Sequence, residues 1–468
     1  MLKQKKPKNA AVLQNQVMSK RPDLRRLDIL KKAWPVMLAN ASVPLLGLSD
    51  TAVIGNVGSL QALGAIAFGA VIFSFVYWSF GFLRMGTTGF VAQAVGANDE
   101  TEIRATLWRA LFMALGIGIL LMLLQRPITE LSLLLLQGSP PVNELTREYI
   151  AIRIWGAPAA LSLFALMGCL IGLGKSKTLL LVQVTLNGLN IALDILFAGV
   201  MGMGVEGIAL GTVIAEWSSV LLALWLVLRV LRRRQHQHTG PDDLRWIPWQ
   251  QLRDIKELKK TLSVNRDIMV RTLLLVASFA WFVRQSAQFG DDVLAANHIL
   301  LQLISFSAFF LDAYAYVAEA LVGEAAGARD PLRFRQALWR STELAGGSAL
   351  ILAAIILFAG QWSVQLLSQH PAVWLAASVT LPWAALYVLL AFAAFQLDGV
   401  FIGTTRTREM RQASIVSALV FLPLSLLLAS VLGIHGLWLA FVIYVCVRAL
   451  TLAWYLPALQ RSIVDSSH

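Results

Sequence analysis

Twelve times along this chain a run of predominantly apolar residues is set off by charged residues or Gly/Pro breaks, and each run is long enough to cross a bilayer. A helix needs about 20 mostly apolar residues to span the hydrocarbon core. Only helices and closed barrels satisfy every backbone N–H and C=O in lipid, and these runs are continuous rather than alternating. The predicted spans are roughly 33–56, 61–90, 104–124, 148–173, 178–200 and 207–230, then 262–289, 294–322, 336–360, 373–403, 412–432 and 436–458. Composition agrees: 57% of residues are hydrophobic and 14% charged, against roughly 25% charged in soluble proteins. The fold class is an all-α polytopic membrane protein.

Charge placement gives the spans a direction. Arg104, Lys175, Lys177, Arg232 to Arg234, Arg329, Arg333, Arg335, Arg406, Arg408 and Arg411 follow even-numbered spans. The connections after odd-numbered spans carry almost none, with Arg126 and Arg147 as the exceptions. The positive-inside rule then puts both termini and the 231–260 linker in the cytoplasm. The net charge of +12 is concentrated in a basic arm over residues 1–32 and in the linker. Such flanking charge is read as a topology signal and a contact for anionic lipid, not for nucleic acid. The polar start lacks the apolar segment of a cleaved signal peptide. Cys169 and Cys446 lie far apart in apolar spans and imply neither a disulfide framework nor a metal cluster.

The chain also repeats itself. Gly96-Ala97-Asn98-Asp99 returns as Gly327-Ala328-Arg329-Asp330, and Leu107-Trp108-Arg109 as Leu338-Trp339-Arg340, both 231 residues on. Ile171 to Lys177 faces Ile402 to Arg408 at the same offset, whereas Gly204-Val205-Glu206-Gly207 faces Gly433-Ile434-His435-Gly436 at 229. Six spans per half is an even number, so the two six-helix repeats are parallel. Paired bundles of this kind rock about a site between them in secondary transporters. The predicted organisation is an arm over 1–32, a first lobe over 33–230, a linker over 231–260, a second lobe over 261–460 and a tail over 461–468.

Ionisable residues inside spans are costly and therefore candidates for function. Asp50 lies in span 1, opposite Trp281 in the repeat; Asn190 and Asp194 lie one turn apart in span 5, opposite Val420 and Leu424, and share a helix face. Thr212 in span 6 and Tyr149 in span 4 add neutral oxygens. Paired carboxylates can share and exchange a proton; the same oxygens at Asp50, Asn190 and Asp194 suit a hard cation such as sodium. Pro35 and Pro44 make span 1 kinkable. In the second half, Asp312 and Glu319 share one face of span 8, and Asp398 sits deep in span 10, all three placed to attract a cation, with Arg271 and Arg284 of span 7 as potential ion-pair partners. Neither an ATP-binding loop nor an acyl- or phosphoryl-transfer constellation appears, so no enzyme activity, cofactor or resident metal is predicted.

These residues resemble the multidrug and toxic compound extrusion (MATE) family of antiporters, in its DinF-type branch. The resemblance runs from about 28 to 458 and is carried by Pro35 with Asp50-Thr51-Ala52-Val53-Ile54-Gly55, by Asn187-Gly188-Leu189-Asn190 with Asp194, by Asn265 to Arg271, and by Ala318-Glu319-Ala320 through Gly323 to Ala328. It implies V-shaped six-helix lobes and export of amphipathic, often cationic compounds in exchange for H⁺ or Na⁺, by a monomer in the bacterial cytoplasmic membrane. It further implies an ion-coupling site at Asp50, Asn190, Asp194, Thr212 and Tyr149, and a hinge at Pro35. Span 7 lacks the glutamate of other branches and offers only Asp267, which favours coupling in the first lobe. A flippase for a lipid-linked metabolite is the alternative within the same superfamily.

Overall fold

The computed structural model describes residues 23–237 and 246–465. Residues 1–22 of the arm, 238–245 of the linker and 466–468 of the tail lie outside the described residues. All regular structure among the described residues is helical.

Among the described residues ten helical segments are long and apolar enough to cross a membrane, and two more complete the twelve. Span 1 falls below that length because it is cut into Arg26–Ala41 and Val43–Val57. Span 7, Ile255–Ser286, is long but carries Lys256, Glu257, Lys259, Lys260, Arg266, Asp267 and Arg271.

The first lobe is built from interrupted helices. Span 2 is Leu60–Ser79 followed by Phe82–Gly96, and span 3 is Glu100–Leu123. A surface helix, Gln125–Leu136, precedes span 4, which runs Pro140–Arg153, through a 3₁₀ turn at Ile154–Gly156, into Ala157–Gly172. Span 5, Ser176–Asp194, widens into a π-turn at Ile195–Val200, and span 6 is Gly204–Gln237. The second lobe is unbroken by comparison. After the short linker helix Trp249–Leu252, spans 8 to 12 run continuously as Asp291–Gly327, Pro331–Leu367, Pro371–Gly403, Thr407–Leu432 and Ile434–Asp465.

The break in span 1 has a local cause. Pro44 has no N–H to give the carbonyl of Asn40 and crowds that turn. Asn187 of span 5 fastens the turn: its amide donates to the carbonyl (2.9 Å) and hydroxyl (2.7 Å) of Ser42. The helix is continuous through Pro35, so the discontinuity lies seven residues beyond the proline singled out as hinge.

The sequence repeat reappears in the backbone. Asn98 and Arg329 are both left-handed, at φ 54°, and so are Gly174 (66°) and Thr405 (53°), each pair 231 apart. Asp99 and Asp330 each cap the following helix, accepting from the N–H of Glu102 (2.8 Å) and Arg333 (2.9 Å).

The lobes meet toward the membrane face that carries the linker. Phe82–Gly96 packs along span 8, and the first half of span 1 lies beside it, with Asn40 donating to the carbonyl of Phe309 (3.2 Å). Gly96 and Gly327 let the chains touch backbone to backbone, since a Cβ at either would strike the carbonyl of Glu324 or Gln93 respectively. Gln93 donates to the carbonyl of Gly403 and the hydroxyl of Thr405, both at 3.0 Å.

Candidate functional site

Spans 1, 4, 5 and 6 bring the five first-lobe candidates together. Asn190 and Asp194 are fully buried, and Tyr149 and Thr212 are buried beside them. The Asp50 and Asp194 carboxyls are near enough for their charges to act on one another. Asn190 donates its amide to the Thr212 hydroxyl (2.9 Å), which in turn donates to the carbonyl of Ile208 (2.9 Å). That chain consumes the one hydroxyl proton and turns the amide oxygen of Asn190 away from Thr212. Asn190 Oδ1, Asp50 Oδ1 and both carboxylate oxygens of Asp194 are then buried with no hydrogen-bond donor. Unsatisfied buried oxygens are expensive, and these four stand together on spans 1 and 5.

Sequence reasoning passed over the supports of this cluster. Gly211 of span 6 lies against Asp194, where a Cβ would come within 2.6 Å of Oδ1. Tyr149 packs on Phe73 (6.2 Å between ring centroids) and over Gly69. One turn past Tyr149 and Thr212, Arg153 and Glu216 form a buried bidentate ion pair at 2.8 and 2.6 Å. Arg153 also lies 5.0 Å over Phe73, and its pair with Glu216 has room because residue 156 is glycine. Both charges were findable by the rule that picked out Asp50; their pairing across spans 4 and 6 was not.

One repeat assignment is corrected. With the offset held at 231, the position facing Asp194 is Ser425 rather than Leu424, and the one facing Asn190 is Phe421 rather than Val420. The contact itself fixes the register: Asp50 meets Asp194 in the first lobe, and Trp281 donates to Ser425 (2.9 Å) in the second. The offset falls to 229 only after Asp194, where span 5 opens into its π-turn. An added residue in a helix produces such a bulge, frequently at a functional site.

The second-lobe candidates sit in a different environment. Asp398 is buried between Arg271 of span 7 and Arg448 of span 12, both of which donate to its Oδ2. Its charge is therefore matched inside the lobe by two arginines. Arg284, the other expected partner, instead lies over Trp281 (5.6 Å). Glu319 is buried and pairs with Arg84 of the opposite lobe (3.1 Å). Asp312 is half-buried, with Arg84, Arg271 and Arg448 around it and, among the described residues, no ion pair of its own within 4.0 Å. Asp267 pairs with Arg411 (2.6 Å) and Arg266 (3.2 Å). No group of three or more His, Cys, Asp or Glu side chains among the described residues is arranged to hold a metal.

Comparison with known proteins places this architecture. The MatE family profile matches residues 35–196 and 268–427. The chain is 38% identical over 424 residues to the DNA damage-inducible protein F of Escherichia coli (strain K12), covering 90% of each. It is 25% identical over 438 residues to a probable multidrug resistance protein NorM of Pasteurella multocida (strain Pm70), covering 90% of this chain and 91% of that one. The solved structure described as MATE in the bent conformation superposes with a TM-score of 0.83 at 19% identity, covering 99% of this chain and all of the other.

Proposed function

This chain belongs to the MatE family of membrane transporters, and we propose that it is an antiporter exporting amphipathic, often cationic compounds in exchange for a proton, or a sodium ion, held between Asp50 and Asp194. The observation that carries the reading is the set of four buried, donorless oxygens on Asp50, Asn190 and Asp194. A cation entering there replaces missing hydrogen bonds and screens two adjacent carboxylates, so it binds to a protein already shaped for it.

Coupling follows from where Asp50 is carried. It stands on Val43–Val57, the half of span 1 beyond the Ser42 break, and Asp194 stands immediately before the π-turn of span 5. With the ion bound the two carboxyls draw together; with the ion gone they repel, and the break at Ser42 and Pro44, together with Pro35, lets the outer half of span 1 move. The cleft opens away from the linker, because the lobes meet on the linker side. With the linker and both termini in the cytoplasm of a bacterium, this is the outward-open state of an inner-membrane monomer. The basic arm and linker contact anionic lipid on the cytoplasmic face. Asp312, with no ion pair in this state, is the second-lobe acid that attracts substrate. Export of a lipid-linked anion finds less support, since Arg84, Arg153, Arg271 and Arg448 are each matched to an acid.

The test is ethidium efflux from proteoliposomes under an imposed pH gradient and, separately, an imposed sodium gradient. One of the two must drive wild-type transport and fail with Asp50→Asn. Equal efflux by wild type and Asp50→Asn would falsify the coupling role.

A further inference from the structure

The Arg84–Glu319 pair differs from the other buried ion pairs because its members belong to different lobes. Arg84 rises from span 2 and Glu319 from span 8, and both are buried. The guanidinium of Arg84 lies 3.9 Å over the ring of Tyr316, one turn before Glu319, while its Nη1 donates to Glu319 Oε2 at 3.1 Å and Nη2 finds no partner. Asp312, one further turn back on span 8, adds a second negative charge to the same surroundings. Span 8 thus presents a carboxylate, an aromatic face and a second acid at steps of three to four residues, which is a single helix face.

Acid plus aromatic face is how proteins hold organic cations, the ring quadrupole attracting the charge most strongly where the site is desolvated. Here that box is filled by a side chain from the opposite lobe. Each partner is also pinned to its own lobe. A Cβ at Gly168 would strike the backbone of Arg84, and a Cβ at Gly403 the backbone of Glu319. The two glycine contacts come from spans 4 and 10 of the respective lobes, so when the lobes part on the linker side Arg84 and Glu319 are carried apart with them.

We propose that Glu319, Tyr316 and Asp312 form a binding site for guanidinium-like and other organic cations, and that Arg84 occupies it as a tethered stand-in while the lobes are closed on the linker side. Withdrawal of Arg84 exposes a cation site toward the linker face, and its return expels the occupant. The two events are one motion. This deepens the antiport reading above, since it names where the exported cation sits, but binding at the site does not depend on which ion drives transport.

The experiment uses the purified full-length protein and two probes, methylguanidinium and ethidium. In thermal unfolding, methylguanidinium is expected to stabilise Arg84→Ala well beyond its effect on wild type, by refilling the vacated box, and to leave Arg84→Ala/Glu319→Gln unmoved. Ethidium is expected to bind Arg84→Ala about tenfold more tightly than wild type, as for one competing charge-assisted contact removed. The proposal is overturned if Arg84→Ala and wild type respond alike to both probes, or if the double variant responds as Arg84→Ala does. Should Arg84→Ala not fold, Arg84→Lys keeps the charge but gives up the planar contact with Tyr316. It must then bind ethidium more tightly than wild type, and equal binding overturns the proposal. Failure of wild-type ethidium transport under every gradient would sink the antiport reading while leaving the methylguanidinium result to stand or fall separately.

Discussion

The two lobes share a fold and differ in how they treat charge. In the first lobe Asp50, Asp194 and Glu216 are met by one arginine, Arg153, which is committed to Glu216. In the second, Asp398 is met by Arg271 and Arg448, and Glu319 by Arg84 from across the interface, with Asp312 near all three arginines. The helices follow the same division. Spans 1, 2, 4 and 5 are interrupted, whereas spans 7 to 12 run unbroken. A duplicated bundle needs neither feature to stand, so the departures of the first lobe from its partner mark what was added. The first lobe holds an acid pair without counter-charge, on helices that can shift; the second is a balanced block for it to move against.

The sharpest way to break that comparison is to remove one acid from each lobe. Asp50→Asn should abolish ion-driven ethidium efflux while thermal stability is kept or raised, because it relieves carboxylate repulsion rather than stranding a cation. Asp398→Ala should do the reverse. It leaves Arg271 and Arg448 buried without an acid, and removing one partner of a buried ion pair costs roughly 3–5 kcal/mol, read as loss of folded protein in a melting experiment. If Asp398→Ala melted like wild type while losing only transport, the second lobe would not be the balanced block described.

A smaller effect separates the supports of the acid pair from the pair itself. Gly211→Ala would place a methyl group 2.6 Å from Asp194 Oδ1. Overpacking of this kind costs about 1–3 kcal/mol, and here the displaced group is Asp194. Transport should fall more than stability does. Asn187→Ala removes two hydrogen bonds to Ser42, at about 1 kcal/mol each. It should loosen the break in span 1 and raise the reactivity of a cysteine placed on Val43–Val57 toward a water-soluble maleimide. Unchanged reactivity would remove Asn187 from the coupling argument.

Much of this was legible in the residues. The number of spans and their duplication follow from apolar length and a repeating offset, both properties of short windows. Asp50, Asn190 and Asp194 stood out because ionisable and amide groups are conspicuous against apolar neighbours. Arg84, Arg153, Glu216 and Arg448 are equally conspicuous, yet what each does depends on a partner 50 to 235 residues away. Pairing across helices leaves no mark at the sequence spacing of one helix. Span 1 carries two prolines, and the helix is interrupted at the second, Pro44, where Asn187 of span 5 holds the turn at Ser42. The repeat register slipped for a related reason. The change in offset lies between Asp194 and Gly204, and only the π-turn shows that it comes after the acid.

That register supports the finest comparison, between one contact in each lobe. Trp281 and Ser425 occupy in the second lobe the positions of Asp50 and Asp194 in the first, and they meet through a single neutral hydrogen bond of 2.9 Å. If this contact only holds spans 7 and 11 together, Trp281→Phe should cost about 0.5–1.5 kcal/mol, the worth of one net hydrogen bond, and leave ion coupling intact. Thermal unfolding and gradient-driven ethidium efflux on the same preparation measure both. A coupling defect out of proportion to the stability loss would mean that the second lobe senses the ion as well, and the division of labour between the lobes would have to be redrawn.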